Sequence, residues 1–200
     1  MSLYPFNTNW GPRQAQTDAP GVRTQLGAVV VYSPGSLAAA DADAYVTSTN
    51  MKNGAYTLVQ NAPPVGARNV TVTHTAVGAA DTLGMITVAG RDLAGNTISE
   101  DITPSAGATA QGVKAFASIT SITGSGWTIN EGNDTITVGY GDVIGLPDVL
   151  TDTAQVLAAS LNNVRESTHP TVTVGTALSA NTVDLNSALN GTAVKIYYML

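Results

Sequence analysis

From Val70 onward, apolar and hydroxyl side chains alternate at every second position, and that period decides what the chain can become. Val70 and Val72 share one parity, while Thr71, Thr73 and Thr75 share the other. Successive residues of a strand point to opposite faces, so such a run reads as a half-buried strand. Ile86 and Val88 alternate in the same way, and the turn-forming stretch from Asp92 to Asn96 leads back into Thr97 to Ile102 as the second arm of a hairpin. The pattern returns at Ile136, Val138 and Tyr140, at Val172 and Val174, at Val183 and Leu185, and at Val194, Ile196 and Tyr198. Gly, Asn, Asp or Pro bounds each run, and a strand about every 10 to 15 residues suits a sandwich or barrel.

Composition points the same way. The 200 residues include 27 Thr and 21 Val but only 3 Lys and 3 Glu, and Val and Thr carry the branched Cβ that suits a pleated surface. The expected fold class is all-β: an antiparallel β-sandwich or a jelly-roll or Ig-like module, with an extended N-terminal arm. Residues 1–27 form that arm, since they hold three Pro and the aromatics Tyr4, Phe6 and Trp10 without any period of 2 or 3.6. Solvated tails are poor in aromatics, so the arm docks either on another surface or on its own domain. Residues 28–200 form a single β-rich domain, and the strand pattern pauses at Pro147-Asp148, so a subdivision would fall near 147–150.

Three places depart from simple alternation. Phe116, Ile119 and Ile122 recur every third residue, which predicts a turn or bulge leading into a strand. Glu100 shares the parity of Ile98 and Ile102, so its carboxylate would face the core unless the strand lies at an edge or is kinked. Asn162-Asn163 separates two short apolar runs, and Asn tolerates the positive φ of a tight hairpin turn. The competing reading there is a short helix, because the flanking stretch is rich in Ala and Leu and opens with Asp152.

Candidate chemistry is sparse. With no Cys, disulfides and thiolate catalysis are excluded. The net charge is −6, from 8 basic and 14 acidic residues, which leaves no phosphate-binding surface, so neither nucleic acid nor membrane is an expected partner. The apolar stretch Ala28 to Tyr32 is too short for a span, and Met1 to Trp10 lacks the basic-then-apolar layout of a signal peptide. His74 and His169 have no partner at metal-ligand spacing and read as structural. Asp41 and Asp43 alternate like the start of a calcium loop but lack its Gly and Glu; neither a metal nor any other cofactor is expected, although an ion trapped by Asp41, Asp43 or Asp134 is left open. Gly139 to Gly145 imitates a dinucleotide fingerprint with the wrong spacing, and Pro147 follows where a helix should begin. Glu100 and Asp101 are adjacent, hence on opposite faces of a strand, and form no glycosidase-type pair. No catalytic residue is assigned and no enzyme is expected. Short Thr, Ser and Asn side chains lose little entropy when pinned, which suits an assembly protein.

Five segments carry a resemblance: ARNVTVTHT (Ala67 to Thr75), DTLGMITVAGRDLAGNTISEDI (Asp81 to Ile102), KAFASITSITGSG (Lys114 to Gly126), DTITVGYGDVIGLP (Asp134 to Pro147) and NTVDLNSALNGTAVKIYYM (Asn181 to Met199). Together they resemble small virion structural proteins of tailed double-stranded-DNA bacteriophages, in particular the head decoration, or cement, proteins. The likeness spans about two thirds of the chain, from Ala67 to Leu200, and consists of strand and turn patterns. It implies a non-enzymatic protein on the outer surface of the capsid, bound to the major capsid protein as a homo-oligomer, dimer or trimer, and stabilising the head. Tyr4, Phe6 and Trp10 are then the expected contact anchors of the arm, since aromatics dominate buried contact patches. The alternatives are a tail, collar or fibre module, and a glycan-binding module using Trp127, Tyr140 or Tyr197.

Overall fold

A computed structural model describes residues 28–78 and 81–200, together with the backbone of two short strands nearer the N-terminus. The strands, in chain order, are β1 (Gln14–Gln16), β2 (Arg23–Gln25), β3 (Val29–Ser36), β4 (Asp41–Asn50), β5 (Gly54–Ala55), β6 (Arg68–Thr75), β7 (Met85–Arg91) and β8 (Thr97–Ile102). They continue with β9 (Thr109–Phe116), β10 (Ser118–Ser125), β11 (Thr135–Gly145), β12 (Val156–Leu161), β13 (Val164–Arg165), β14 (Thr171–Thr173), β15 (Thr182–Asp184) and β16 (Ala193–Met199). Every strand pairing among the described residues is antiparallel, so the all-β class read from the sequence holds.

β1 and β2 pair with each other, and the remaining strands form three sheets. One runs β5-β10-β7-β8, the second β14-β15-β11-β6-β9 with β4 also on β11, and the third β13-β12-β16-β3. The alternation explains how they stack. Val70 and Val72 from β6, Ile86 and Val88 from β7, Ile122 from β10, and Ile136 and Val138 from β11 all turn inward and close one core between the first two sheets. Fully burying a side chain of this size stabilises by roughly 1.5–3 kcal/mol, so the one-sided register of each strand is strongly specified. A second core gathers Ile144 and Leu146 with Val156, Val183, Val194, Ile196 and Tyr198, and it is lined by the third sheet.

β11 belongs to both cores. Its first half pairs with β4 on one side, its end pairs with β15, and β6 runs along the other side. Buried polar groups finish the second core. The Asn181 amide accepts the Leu150 N–H at 2.9 Å and donates to the Gly175 and Ala177 carbonyls at 2.8 and 2.7 Å. The Tyr198 hydroxyl donates to the Asp148 carboxylate. Burial first, and then that carboxylate, pushes the Tyr198 phenol above its usual pKa.

The three departures from alternation resolve in physical terms. β9 ends at Phe116, Ala117 links it to β10, and the β10–β7 ladder slips between Ile119 and Ser121, so a bulge converts a period of two into three. Phe116, Ile119 and Ile122 are all buried. Glu100 does share its face with Ile98 and Ile102, but β8 is an edge strand, and the carboxylate accepts the β9 amides of Val113, at 2.6 Å, and Lys114. Asn162 and Asn163 take φ of 52° and 61° and join β12 to β13 as the expected hairpin. The helical signal is also real but brief, because Asp152 and Gln155 form a capping box around the single 3₁₀ turn Thr153–Gln155.

Candidate functional site

Arg68 opens β6 where the two cores meet. Its side chain is only 1 % exposed, yet it carries a charge. The guanidinium donates to the Ala38 carbonyl at 3.0 Å, to the Gly141 carbonyl and to the Asp142 carboxylate at 3.1 Å. Its carbon also lies 5.1 Å from the centroid of the Tyr140 ring. Burial pushes the Arg68 pKa down, against the opposing pull of Asp142, Tyr140 and Tyr45. Arginine suits such a place because its fork reaches several acceptors at once. One side chain thus fastens β6, β11 and the β3–β4 connection.

A second polar cluster lies at the far end of β6. The His74 Nδ1 accepts the Gly107 N–H at 2.8 Å, so the ring proton sits on Nε2 and is donated to Asp134 at 3.0 Å. Asp134 also accepts the Val77 N–H at 2.5 Å. Burial would raise the Asp134 carboxyl, but the Val77 amide, His74 and the Asp81 amide together hold it below its usual value. Asp81 in turn accepts backbone N–H groups from Asn130, Glu131 and Asp134. A histidine working as a general base needs one ring nitrogen free to take a proton. Both nitrogens of His74 are committed, so this His–Asp pair ties loops together.

The other sequence candidates fall as follows. Tyr4, Phe6 and Trp10 lie outside the described residues. His169 lies near the Val156 carbonyl, 2.7 Å from Nε2. Asp41 and Asp43 start β4, where the Asp43 N–H donates to Asp41 at 3.3 Å; Asp134 is at the opposite end of the β4–β11 ladder. Among the described residues no group of three or more His, Asp or Glu is placed to hold a metal ion. The glycines of the Gly139–Gly145 run are strand residues that permit close approach. A Cβ on Gly139 would stand 1.8 Å from the Asp41 carbonyl, and one on Gly141 would stand 2.5 Å from Asn69 Oδ1. Trp127 and Tyr140 are 8 % and 4 % exposed and belong to the first core, so neither offers a stacking face to a sugar.

Tyr197 differs. On β16, Val194, Ile196 and Tyr198 face the second core, leaving Lys195, Tyr197 and Met199 on the outside of the third sheet. Val29 and Val31 flank them on β3 at 60 % and 50 % exposure, and Leu157 stands on β12. This outward face, with Arg165 at one side, is a feature that the sequence reading passed over. The signal was present in the opposite parity of Lys195, Tyr197 and Met199 to the buried set.

No protein-family model matches the chain, and neither the curated proteins nor the solved structures contain a match to it.

Proposed function

We propose that the chain is a non-enzymatic decoration, or cement, protein that binds the outer surface of a phage capsid and reinforces it. The observation that carries this reading is where the buried polar groups go. Arg68, Asn69, His74, Asp81, Asp134 and Asn181 each close on backbone or on one another, fixing strands and loops. Such pinning makes a stiff slab, and β11 carries that stiffness through both cores. Reinforcement then works by avidity, because subunits bridging neighbouring capsomers hold many modest contacts at high effective concentration. The resemblance of Ala67 to Leu200 to cement proteins supports the same reading, with the major capsid protein as partner, a dimer or trimer as the working form, and Tyr4, Phe6 and Trp10 as anchors.

Co-sedimentation with genome-free heads tests it. The full chain should pellet with heads, and a version lacking residues 1–27 should stay in the supernatant while keeping a cooperative unfolding transition. Occupancy of the truncated chain equal to that of the full chain would refute the anchoring role, and failure of the full chain to pellet would refute the shell reading. The half-buried, outward-facing Tyr197 favours a second reading, a tail, collar or fibre module that touches glycans. Electron microscopy of particles with and without the protein separates the two.

A further inference from the structure

The outer face of the third sheet holds a shallow groove of about 500 Å³. Its polar half is laid out by strand register. Ser160 on β12 is directly opposite Arg165 on β13 and Lys195 on β16, so the two cations flank the serine on one side of the sheet. Ser160 is 5 % exposed and lines the groove, and among the described residues its hydroxyl has no hydrogen-bond partner. A buried hydroxyl without a partner costs about 1–3 kcal/mol, and of the buried hydroxyls in that state Ser160 is the one that lines this groove. Neither ion pair among the described residues involves Arg165, and Lys195 has only the neutral Asn163 Oδ1, at 2.8 Å. Among the described residues, none that lines the groove is acidic. The neighbouring Glu166 is committed to the Ser187 N–H at 3.0 Å. In a chain of net charge −6, two cations are thus kept beside a buried hydroxyl with no acid supplied by the described residues that line the groove.

We propose that this groove receives the carboxylate of an acidic, extended segment of a partner protein. The carboxylate lies between Arg165 and Lys195, where the arginine fork can take both oxygens, and the Ser160 hydroxyl beneath, closed to solvent in this structure, donates a further hydrogen bond once the flanking side chains part. The adjoining row identifies the rest of the ligand. Two residues along β16, Tyr197 is level with Ala158 on β12 and Val31 on β3, which makes an apolar strip beside the charged row. Outward rows of a sheet are about 6.8 Å apart, and side chains i and i+2 of an extended peptide have the same spacing. An acid followed two positions later by an apolar or aromatic residue therefore fits both rows, whereas a bare phosphate would leave the apolar strip uncovered. The inference concerns the chemistry of the partner and is independent of where on a particle the chain sits.

The test is a titration of the ¹⁵N-labelled full chain, followed by NMR, with a blocked seven-residue peptide carrying aspartate and, two positions on, phenylalanine. Parallel titrations use the same peptide with asparagine for aspartate, sialyllactose, and inorganic phosphate. Amide shifts should centre on residues 157–165 and 195–197, the asparagine peptide should bind at least about ten-fold more weakly, and Arg165→Glu with Lys195→Glu should abolish the shifts. Should that double reversal disturb the core resonances, Arg165→Gln alone should weaken binding several-fold. Absence of binding by the aspartate peptide, equal binding of the asparagine peptide, shifts centred elsewhere, or tighter binding of sialyllactose or phosphate would each overturn the proposal. Particle attachment plays no part in this assay, so its failure is distinct from failure of the shell reading.

Discussion

The Arg68 guanidinium packs 5.1 Å from the centre of the Tyr140 ring while pairing with Asp142, two residues further along the same strand. Tyr140 belongs to the first core, and Ile144, the register partner of Arg68 on β11, belongs to the second. Arg68→Ala removes the charge, leaves the Ala38 and Gly141 carbonyls without a donor and opens a cavity. The expected loss is on the order of 3–5 kcal/mol, read from the urea midpoint. Asp142, which is partly exposed, matters less, and Asp142→Asn should cost about 1–2 kcal/mol. A smaller effect for Arg68→Ala than for Asp142→Asn would remove Arg68 as the tie between the cores.

Two glycines separate crowding from backbone strain. A methyl group at Gly139 would collide with the Asp41 carbonyl, which belongs to the bulged stretch of β4, whereas Gly95 has φ of +82° and open space around its missing Cβ. Gly95→Ala should therefore cost about 1 kcal/mol, from the left-handed conformation alone. Gly139→Ala should cost more than about 3 kcal/mol or prevent folding, because backbone would have to move. Thermal melts of the two variants side by side give the comparison.

Acid stability should show two opposed carboxylates. Asp134 has a folded pKa below its usual 3.8, so the stability it contributes is complete above 3.8 and is lost as the pH falls through the lowered value. Asp184 is shifted the other way, first by burial and then by the nearby Asp142 carboxylate. Its unfolded form releases the proton first, so stability falls as the pH rises from 3.8 through the raised folded value. Asp134→Asn should lower stability at pH 7 and flatten the acid limb. Asp184→Asn should raise stability at pH 7. Unfolding free energies in urea between pH 2.5 and 7 check both signs, and the same response from both variants would contradict them.

The Asn162-Asn163 turn offers a local test. Both residues are left-handed, and Asn163 Oδ1 also accepts Lys195 Nζ in an exposed position. Asn163→Gly should change stability by less than about 0.5 kcal/mol, since it keeps the backbone and loses only a solvated contact. Asn163→Val should lose about 1–2 kcal/mol, because a branched Cβ resists positive φ. Equal effects in equilibrium denaturation would mean the turn sets no register.

Where a strand kept its period in the sequence, its place in the fold was legible. β6, β7, β11 and β16 bury the residues that alternation selects. β4 was missed for a physical reason: its ladder with β11 slips twice, and Ala44, Tyr45 and Val46 are buried in succession, which erases the period. The contact sites were harder to read. The groove at Ser160 depends on a register among β12, β13 and β16 that no local pattern encodes. Trp127 and Tyr140 looked available only because an aromatic residue reads the same whether it fills a core or faces water.

Glu100 has a wider consequence. β9 is the outer strand of its sheet, and its amides at Val113 and Lys114 would be open to a foreign strand were the carboxylate not seated on them. Pro34 does similar work on β3, the outer strand of the third sheet, by offering no amide at all. Addition of a foreign strand along these two edges is thereby disfavoured.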